Sequence, residues 1–441
     1  MWGLYHKANK EYDIILPVKI LTINPWIYDF AAYDYWLKPY GFLNLLAYLQ
    51  KYEADIDYID CVGKKISHDT WGRGKYYSEE ITKPETYQNI PRHFKRYGLS
   101  VDEFTAKLDH KKQYDYILIT SSMTYWYGAL VDTVKILRAH YPKVPIILGG
   151  TYATLCREHA KNTIGVDEVF TNMELEQFFA KLNIPYEQKD FYNTLPQWDF
   201  FYPESEYVVV KSSWGCPFNC SYCANPYLFK GFLRLDIDKV FDYIKKYSRL
   251  SKNFVLYDDA FFYEPAYAKE LLKKIAALNA GLLFHTPNAL HWKYLDIELA
   301  KLLKACGFAM PCFGMETMDD NLQKEWGGKT GREELEHGVA LLQQAGYKKG
   351  EYAVYLLLGY PGQDLNRLKN DLEFLNNLGV KVSLAEFSPV PHTSIFDKYS
   401  AAFQEPLLQN NSIFSCHEPD KMKAFWEIKN YAKKLNDTLR V

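Results

Sequence analysis

Short apolar runs recur through the first 190 residues, separated by segments of helical periodicity. "VKILTIN" (Val18 to Asn24), "DIDYID", "YDYILITSS", "VPIILGG" and "DEVFT" have the length and composition of strands. Between them, Gly41 to Lys51 and Gly128 to His140 space their apolar residues along one helix face. Alternation of this kind predicts an α/β fold on a doubly wound parallel sheet. Ligands of such sheets bind beyond the carboxyl ends of the strands. Gly149 and Gly150 stand there, where missing side chains let a ligand approach the backbone, although a tight turn explains them equally well.

The pattern breaks from Cys61 to Gln113, which is polar and carries eleven Lys/Arg against seven Asp/Glu, with tyrosines interleaved. This stretch reads as an insertion at about 61–113: a cap over a site, a docking surface for an acidic partner, or a solvated segment with one helix. "DFYNTLPQWDFFYPESEY" lacks a period and, with its aromatics and prolines, reads as a packed linker over 190–206.

Beyond it, six more strands are expected: "YVVVKSS", "FVLYDD", "LLFHTP", "FAMPCFGMET", "YAVYLLLG" and "VSLAEFSPV". The helices between them are amphipathic, with stripes at Ile237, Val240, Phe241 and Ile244 and at Leu335, Gly338, Val339 and Leu342. Asp296 is placed to cap one helix, and Gly307, Gly346 and Gly379 to end others. Six strand–helix units fall short of the eight of a closed barrel, so a partial (β/α)6 barrel is expected over 207–399, with its chemistry at the strands' C-terminal ends. The expected organisation is a sheet domain over 1–189, the linker, the barrel, and a helical extension over 400–441.

Composition narrows the function. A formal charge of -2 argues against a general nucleic-acid binder. No apolar run is long enough to span a membrane, and the charged N-terminus lacks a signal core, so a cytoplasmic protein is expected. The 37 tyrosines offer flat surfaces with a polar tip, but they also simply build cores.

"SSWGCPFNCSYCANP" places Cys216, Cys220 and Cys223 in eight residues, with no fourth cysteine or histidine close behind. Clustered thiolates repel one another unless a metal neutralises them. Structural zinc takes four protein ligands. A cubane normally takes four cysteines, so three leave one iron open to another ligand.

This motif resembles that of the radical S-adenosylmethionine (SAM) superfamily, with Tyr222 as the aromatic residue before the third cysteine. The resemblance implies a [4Fe-4S] cluster on Cys216, Cys220 and Cys223, its open iron chelated by SAM, and release of a 5′-deoxyadenosyl radical. It extends over about Tyr207 to Ser394. "FVLYDDAFF" falls where the family receives the SAM amino end, which implicates Asp258 and Asp259. "FGMETMDDNLQKEWGGKT" looks like the segment whose Glu, here Glu316, holds the ribose hydroxyls. "YLLLGYPGQ" resembles the segment beside the adenine, with Gly359 at the close approach; Gln363 replaces the usual Glu and carries no assigned role. An electron donor such as a flavodoxin or ferredoxin is implied as partner.

Other polar residues are weaker candidates. His285, Asn288 and His291 follow the third barrel strand, where they would bind substrate, move protons or cap the next helix. Cys312 alternates with Gly314 and Glu316 and would point into the barrel, although a buried strand thiol is favoured. Cys306 shares a helical stripe with leucines, and Cys61, Cys156 and Cys416 are scattered.

A doubly wound domain before such a barrel resembles the cobalamin-binding subgroup of the superfamily. "LKPYGFLNLLAYLQKYEADIDYID" looks like that domain's opening, and "TSSMT" and "ILGG" match two of its loops, which implicates Ser122, Gly149 and Gly150. The histidine loop, D-x-H-x-x-G, is absent; the chain reads "NPWIYDFAAYD" there. The resemblance implies cobalamin as a further cofactor and methylation of an unactivated carbon. Radical rearrangement, cyclisation or coupling without cobalamin is the alternative, and a non-catalytic iron–sulfur sensor or adaptor another. A methylthiotransferase would carry three more cluster cysteines in its first domain; only Cys61 and Cys156 are present. The substrate, acidic or aromatic, is not named by the sequence.

Overall fold

The computed structural model describes residues 17–328, 330–413 and 419–439. The charged N-terminal stretch and Cys416 lie outside them. Five strands form the first sheet: β1 (Lys19–Asn24), β2 (Asp55–Asp60), β3 (Tyr116–Ile119), β4 (Ile146–Leu148) and β5 (Glu168–Val169). They run parallel in the order β2-β1-β3-β4-β5. Alternate residues serve the two faces. Ile20, Ile56, Leu118 and Ile147 pack with Leu43 and Leu46 of helix Tyr40–Lys51. Leu21, Ile23, Ile117 and Ile119 pack with Leu130, Val134 and Leu137 of helix Tyr127–His140. Strand order reverses between β1 and β3, which opens a crevice beyond their carboxyl ends.

Residues 61–113 hold more strand than expected. Besides helix Val101–Ala106 they form strands Lys65–His68, Gly74–Tyr76, Ser78–Glu80 and Lys95–Tyr97. Tyr76, Tyr87, Phe94 and Phe104 are buried, so the segment has its own packed interior rather than being a solvated loop. The last strand pairs antiparallel with Ile27–Asp29, far away in sequence. Residues 190–206 are packed too, through Phe191, Tyr192, Trp198 and Phe201.

The second half places β6 (Tyr207–Val210), β7 (Asn253–Leu256) and β8 (Leu283–His285) in one parallel sheet. A second holds β9 (Cys312–Glu316), β10 (Ala353–Leu358) and β11 (Lys381–Glu386). Bridges Phe284↔Phe308 and Leu290↔Phe313 join the two sets. The six strands thus follow one another in chain order around a partial barrel. Asp296 accepts from the amide of Leu299, and Gly307, Gly346 and Gly379 take positive φ after their helices. Edge strand β11 is covered by helix Pro419–Thr438, whose Asn436 bonds both backbone groups of Val382. Among the described residues, no helix is long and apolar enough to cross a membrane.

Candidate active site at the strand ends

The cysteine loop starts from a short strand, Ser213–Gly215, paired antiparallel with Phe232–Arg234. Gly215 has φ 74°, and a Cβ there would lie 2.2 Å from the carbonyl oxygen of Gly231. Only glycine allows the chain to turn into the loop so closely. Asp258, at the end of β7, anchors the loop's root. It accepts from the Ser212 amide at 2.9 Å, the Ser212 hydroxyl at 2.7 Å and the Ser213 hydroxyl. Its oxygens are therefore taken up inside the protein, and the outward member of the pair is Asp259.

Cys220 is buried, and Cys216 and Cys223 are half-buried. Burial pushes the Cys216 thiol up to about 11, and the negative charge of Asp259, Cys223 and Cys220 adds to the rise. Three thiols in electrostatic reach of one another and of a carboxylate suit a cationic centre, which would offset that repulsion. Among the described residues, no three His, Cys, Asp or Glu side chains converge on a point that would hold a single metal ion. A cubane has its irons at separate corners, so it takes cysteines set further apart than a single ion does.

Tyr222, inside the loop, donates to Glu316 Oε1 at 3.1 Å. Glu316 ends β9 at an irregularity in its pairing with β10 and holds φ at 59°, left-handed for a residue with a side chain. Backbone strain of this kind persists where the fold over-determines it, commonly at binding sites. One strand further, Gly359 has φ 89°. Gln363, without an assigned role from its sequence context, accepts from the Gly359 amide at 2.7 Å and donates to the Leu357 carbonyl at 2.9 Å, holding that turn.

Two residues unnoticed in the sequence belong to this face. Lys211, buried just past β6, donates to the Tyr257 carbonyl at 2.8 Å and reaches Asp259 at 3.4 Å. A lone lysine closing the apolar run "YVVVK" was the available signal. Ser121 bonds the Gly149 carbonyl at 2.7 Å and accepts from the Ala153 amide at 3.1 Å. It locks the Gly149–Gly150 turn, while its neighbour Ser122 faces the cavity.

That cavity, about 410 Å³, lies between the two halves of the molecule. Ser122, Gly149 and Gly150 line it from the sheet, and Lys211, Trp214 and Asp259 from the barrel. Asn288 donates to the Tyr257 carbonyl at 2.9 Å and approaches Asp259 at 3.4 Å, so it joins this group.

The remaining candidates sit elsewhere. His285 is buried, stacked on Trp36 with ring centroids 4.5 Å apart and touched by Trp71 of the insertion. Burial, and then the charge of Arg73, lowers its pKa to about 4, so it is neutral at neutral pH and poorly suited to accept a proton. His291 is buried against Phe218 of the cysteine loop, centroids 4.8 Å apart, which makes it a support for that loop. Cys312 is buried, and burial raises its thiol to about 11. Cys306 is a core thiol that donates to the Leu272 carbonyl.

The Radical SAM superfamily model matches residues 210–375. The barrel is therefore a radical SAM domain. Bacteriochlorophyllide d C-12(1)-methyltransferase of Chlorobaculum tepidum is 21% identical over 275 residues, 57% of this chain and 59% of that protein. The chain thus spans about three fifths of that relative. Among solved structures, the radical SAM methyltransferase TsrM from Kitasatospora setae, with tryptophan substrate and a SAM analogue bound, superposes with a TM-score of 0.65 at 14% identity. That match covers 88% of this chain and 76% of TsrM. The cobalamin-dependent SAM radical enzyme OxsB, with aqua-cobalamin bound, gives a TM-score of 0.57 at 13% identity over 95% of this chain and 56% of OxsB. At these identities the structures speak to the fold, sheet domain and barrel together.

Proposed function

We propose that this radical SAM enzyme methylates an unactivated carbon with the help of cobalamin. The observation that carries this is the cavity of about 410 Å³, bounded at once by the strand ends of the sheet and by the barrel beside the cysteine loop. When bound, the cluster and SAM supply a 5′-deoxyadenosyl radical, and cobalamin supplies a methyl carrier.

The chain's own residues do the positioning. Cys216, Cys220 and Cys223 hold the cluster. Glu316, oriented by Tyr222, accepts the ribose hydroxyls of SAM, and the glycine turn at Gly359 lets the adenine lie against backbone. Asp259, held between Lys211 and Asn288, faces the SAM amino end. Ser122, Gly149 and Gly150 offer cobalamin a surface without bulky side chains, and the chain has no histidine loop to ligate its cobalt. A methyltransferase among the similar proteins supports the reading, and electrons would come from a flavodoxin- or ferredoxin-like donor.

Anaerobic gel filtration of reconstituted protein with hydroxocobalamin tests it. Near-stoichiometric cobalamin in the protein peak is expected. An intact cluster with no retained cobalamin would overturn the methylation reading and leave adenosyl-radical chemistry alone.

A further inference from the structure

A second and larger cleft, of about 840 Å³, opens between the insertion, the ends of β10 and β11, and helix Pro419–Thr438. Its walls collect unusual surface. Tyr33, Tyr35, Met123 and Trp426 line it, and these are 38%, 61%, 44% and 49% exposed. The rings of Tyr33 and Tyr35 lie 4.8 Å apart, presenting a contiguous aromatic face. Exposed aromatics gathered in one concave place mark a binding site better than the same residues scattered.

The charge in the cleft is one-sided. Lys75, Arg92, Lys95 and Lys429 line it against Asp29 and Glu386. Glu386 is taken by Lys429. Asp29 is buried and accepts from the Trp126 indole at 2.8 Å, Asn410 at 3.0 Å and Ser412 at 3.2 Å. Glu80, across the strand from Lys95, is bonded by His93 at 2.9 Å. Arg92 is anchored to the Ser412 carbonyl at 2.6 Å and makes no ion pair among the described residues. Lys75 and Lys95 make no ion pair among the described residues. The cleft therefore offers cations beside flat rings.

We propose that this cleft admits the substrate, and that the substrate is a small molecule with a flat, largely apolar body and an anionic group. The body lies on the tyrosine and tryptophan faces, and the anion meets Lys75, Arg92 and Lys95. Leu358 and Gly359 form part of the same wall, so the bound molecule reaches the strand end assigned to SAM. The word substrate rests on the radical SAM reading; the anion site does not.

Two dyes of one shape separate the contributions: anilinonaphthalene sulfonate, which is anionic, and neutral N-phenylnaphthylamine. Fluorescence titration of the full chain is expected to show tighter binding of the sulfonate. The double variant Lys75→Gln/Lys95→Gln should weaken the sulfonate about tenfold and the neutral dye less than about twofold. Trp426→Ala should weaken both. Equal affinity of the two dyes for the wild type, or unchanged sulfonate affinity in the double variant, would overturn the anion site. Selective sulfonate binding by a wild type that never cleaves SAM would keep the anion site and overturn its assignment to a radical substrate.

Discussion

Tyr222 of the cysteine loop donates its phenol to Glu316 at the end of β9, 3.1 Å away, across almost a hundred residues of chain. The bond fixes the spacing between the loop that would hold the cluster and the carboxylate that would hold the ribose. It also helps to hold Glu316 in its left-handed backbone. Tyr222→Phe should keep the cluster and lose several-fold in SAM affinity, as expected for one hydrogen bond worth about 1 kcal/mol. Equilibrium binding of SAM to the reconstituted variant checks this.

Glu316→Gly separates strain from binding. Glycine occupies φ near 59° without the roughly 1 kcal/mol that a side chain costs there. The loss of the Tyr222 bond offsets that gain. Stability to urea should stay within about 1 kcal/mol of wild type, while SAM affinity falls tenfold or more as charged hydrogen bonds are lost. A variant that binds SAM normally would remove Glu316 from the site.

The two cavity glycines should respond differently. Gly150 has φ 96°, and a Cβ there would lie 2.4 Å from the Ser121 carbonyl oxygen; at Gly149 the nearest atom is 3.8 Å away. Gly150→Ala should cost about 2 kcal/mol or more and abolish cobalamin retention. Gly149→Ala should fold with near-normal stability. Urea midpoints and gel filtration with hydroxocobalamin read both effects.

Acid sensitivity should trace in part to His285. Its pKa drops from the ordinary 6.5 to about 4 in the folded chain, because burial disfavours the charged ring. The unfolded state therefore binds the proton first. The contribution is full above pH 6.5, declines as pH falls from 6.5 to 4, and amounts to about 3 kcal/mol. His285→Phe keeps the stack on Trp36 and should flatten the fall of the urea midpoint over that range. An unchanged slope would contradict the assignment.

Much of this architecture is legible in the chain because its signals are local. Apolar runs mark all eleven strands of the sheet and barrel, and Asp296 and Gly307 mark helix ends within a few residues. The insertion was not legible. Its strands are short, and Lys95–Tyr97 pairs with Ile27–Asp29, so neither partner shows a period of its own. Nothing in "TWGRGKYY" announces that Trp71 and Arg73 reach His285. Ser121 and Lys211 escaped notice because each acts through one or two bonds to a distant backbone, and Gln363, although noticed, showed no role because its two bonds only hold the turn at Gly359. The sequence also cannot separate Asp258 from Asp259; only the burial of the first against Ser212 and Ser213 does.

The proposed function requires the cysteine loop and the interdomain cavity to serve one reaction. It is tested most directly by the fate of SAM in protein reconstituted with iron and sulfide and reduced with titanium(III) citrate. With cobalamin loaded, both 5′-deoxyadenosine and S-adenosylhomocysteine should form; without it, only the former. Replacing Cys216, Cys220 or Cys223 by Ala should remove 5′-deoxyadenosine along with the cluster absorbance. S-adenosylhomocysteine appearing without cobalamin, or no 5′-deoxyadenosine from a wild type with an intact cluster, would overturn the proposed reaction.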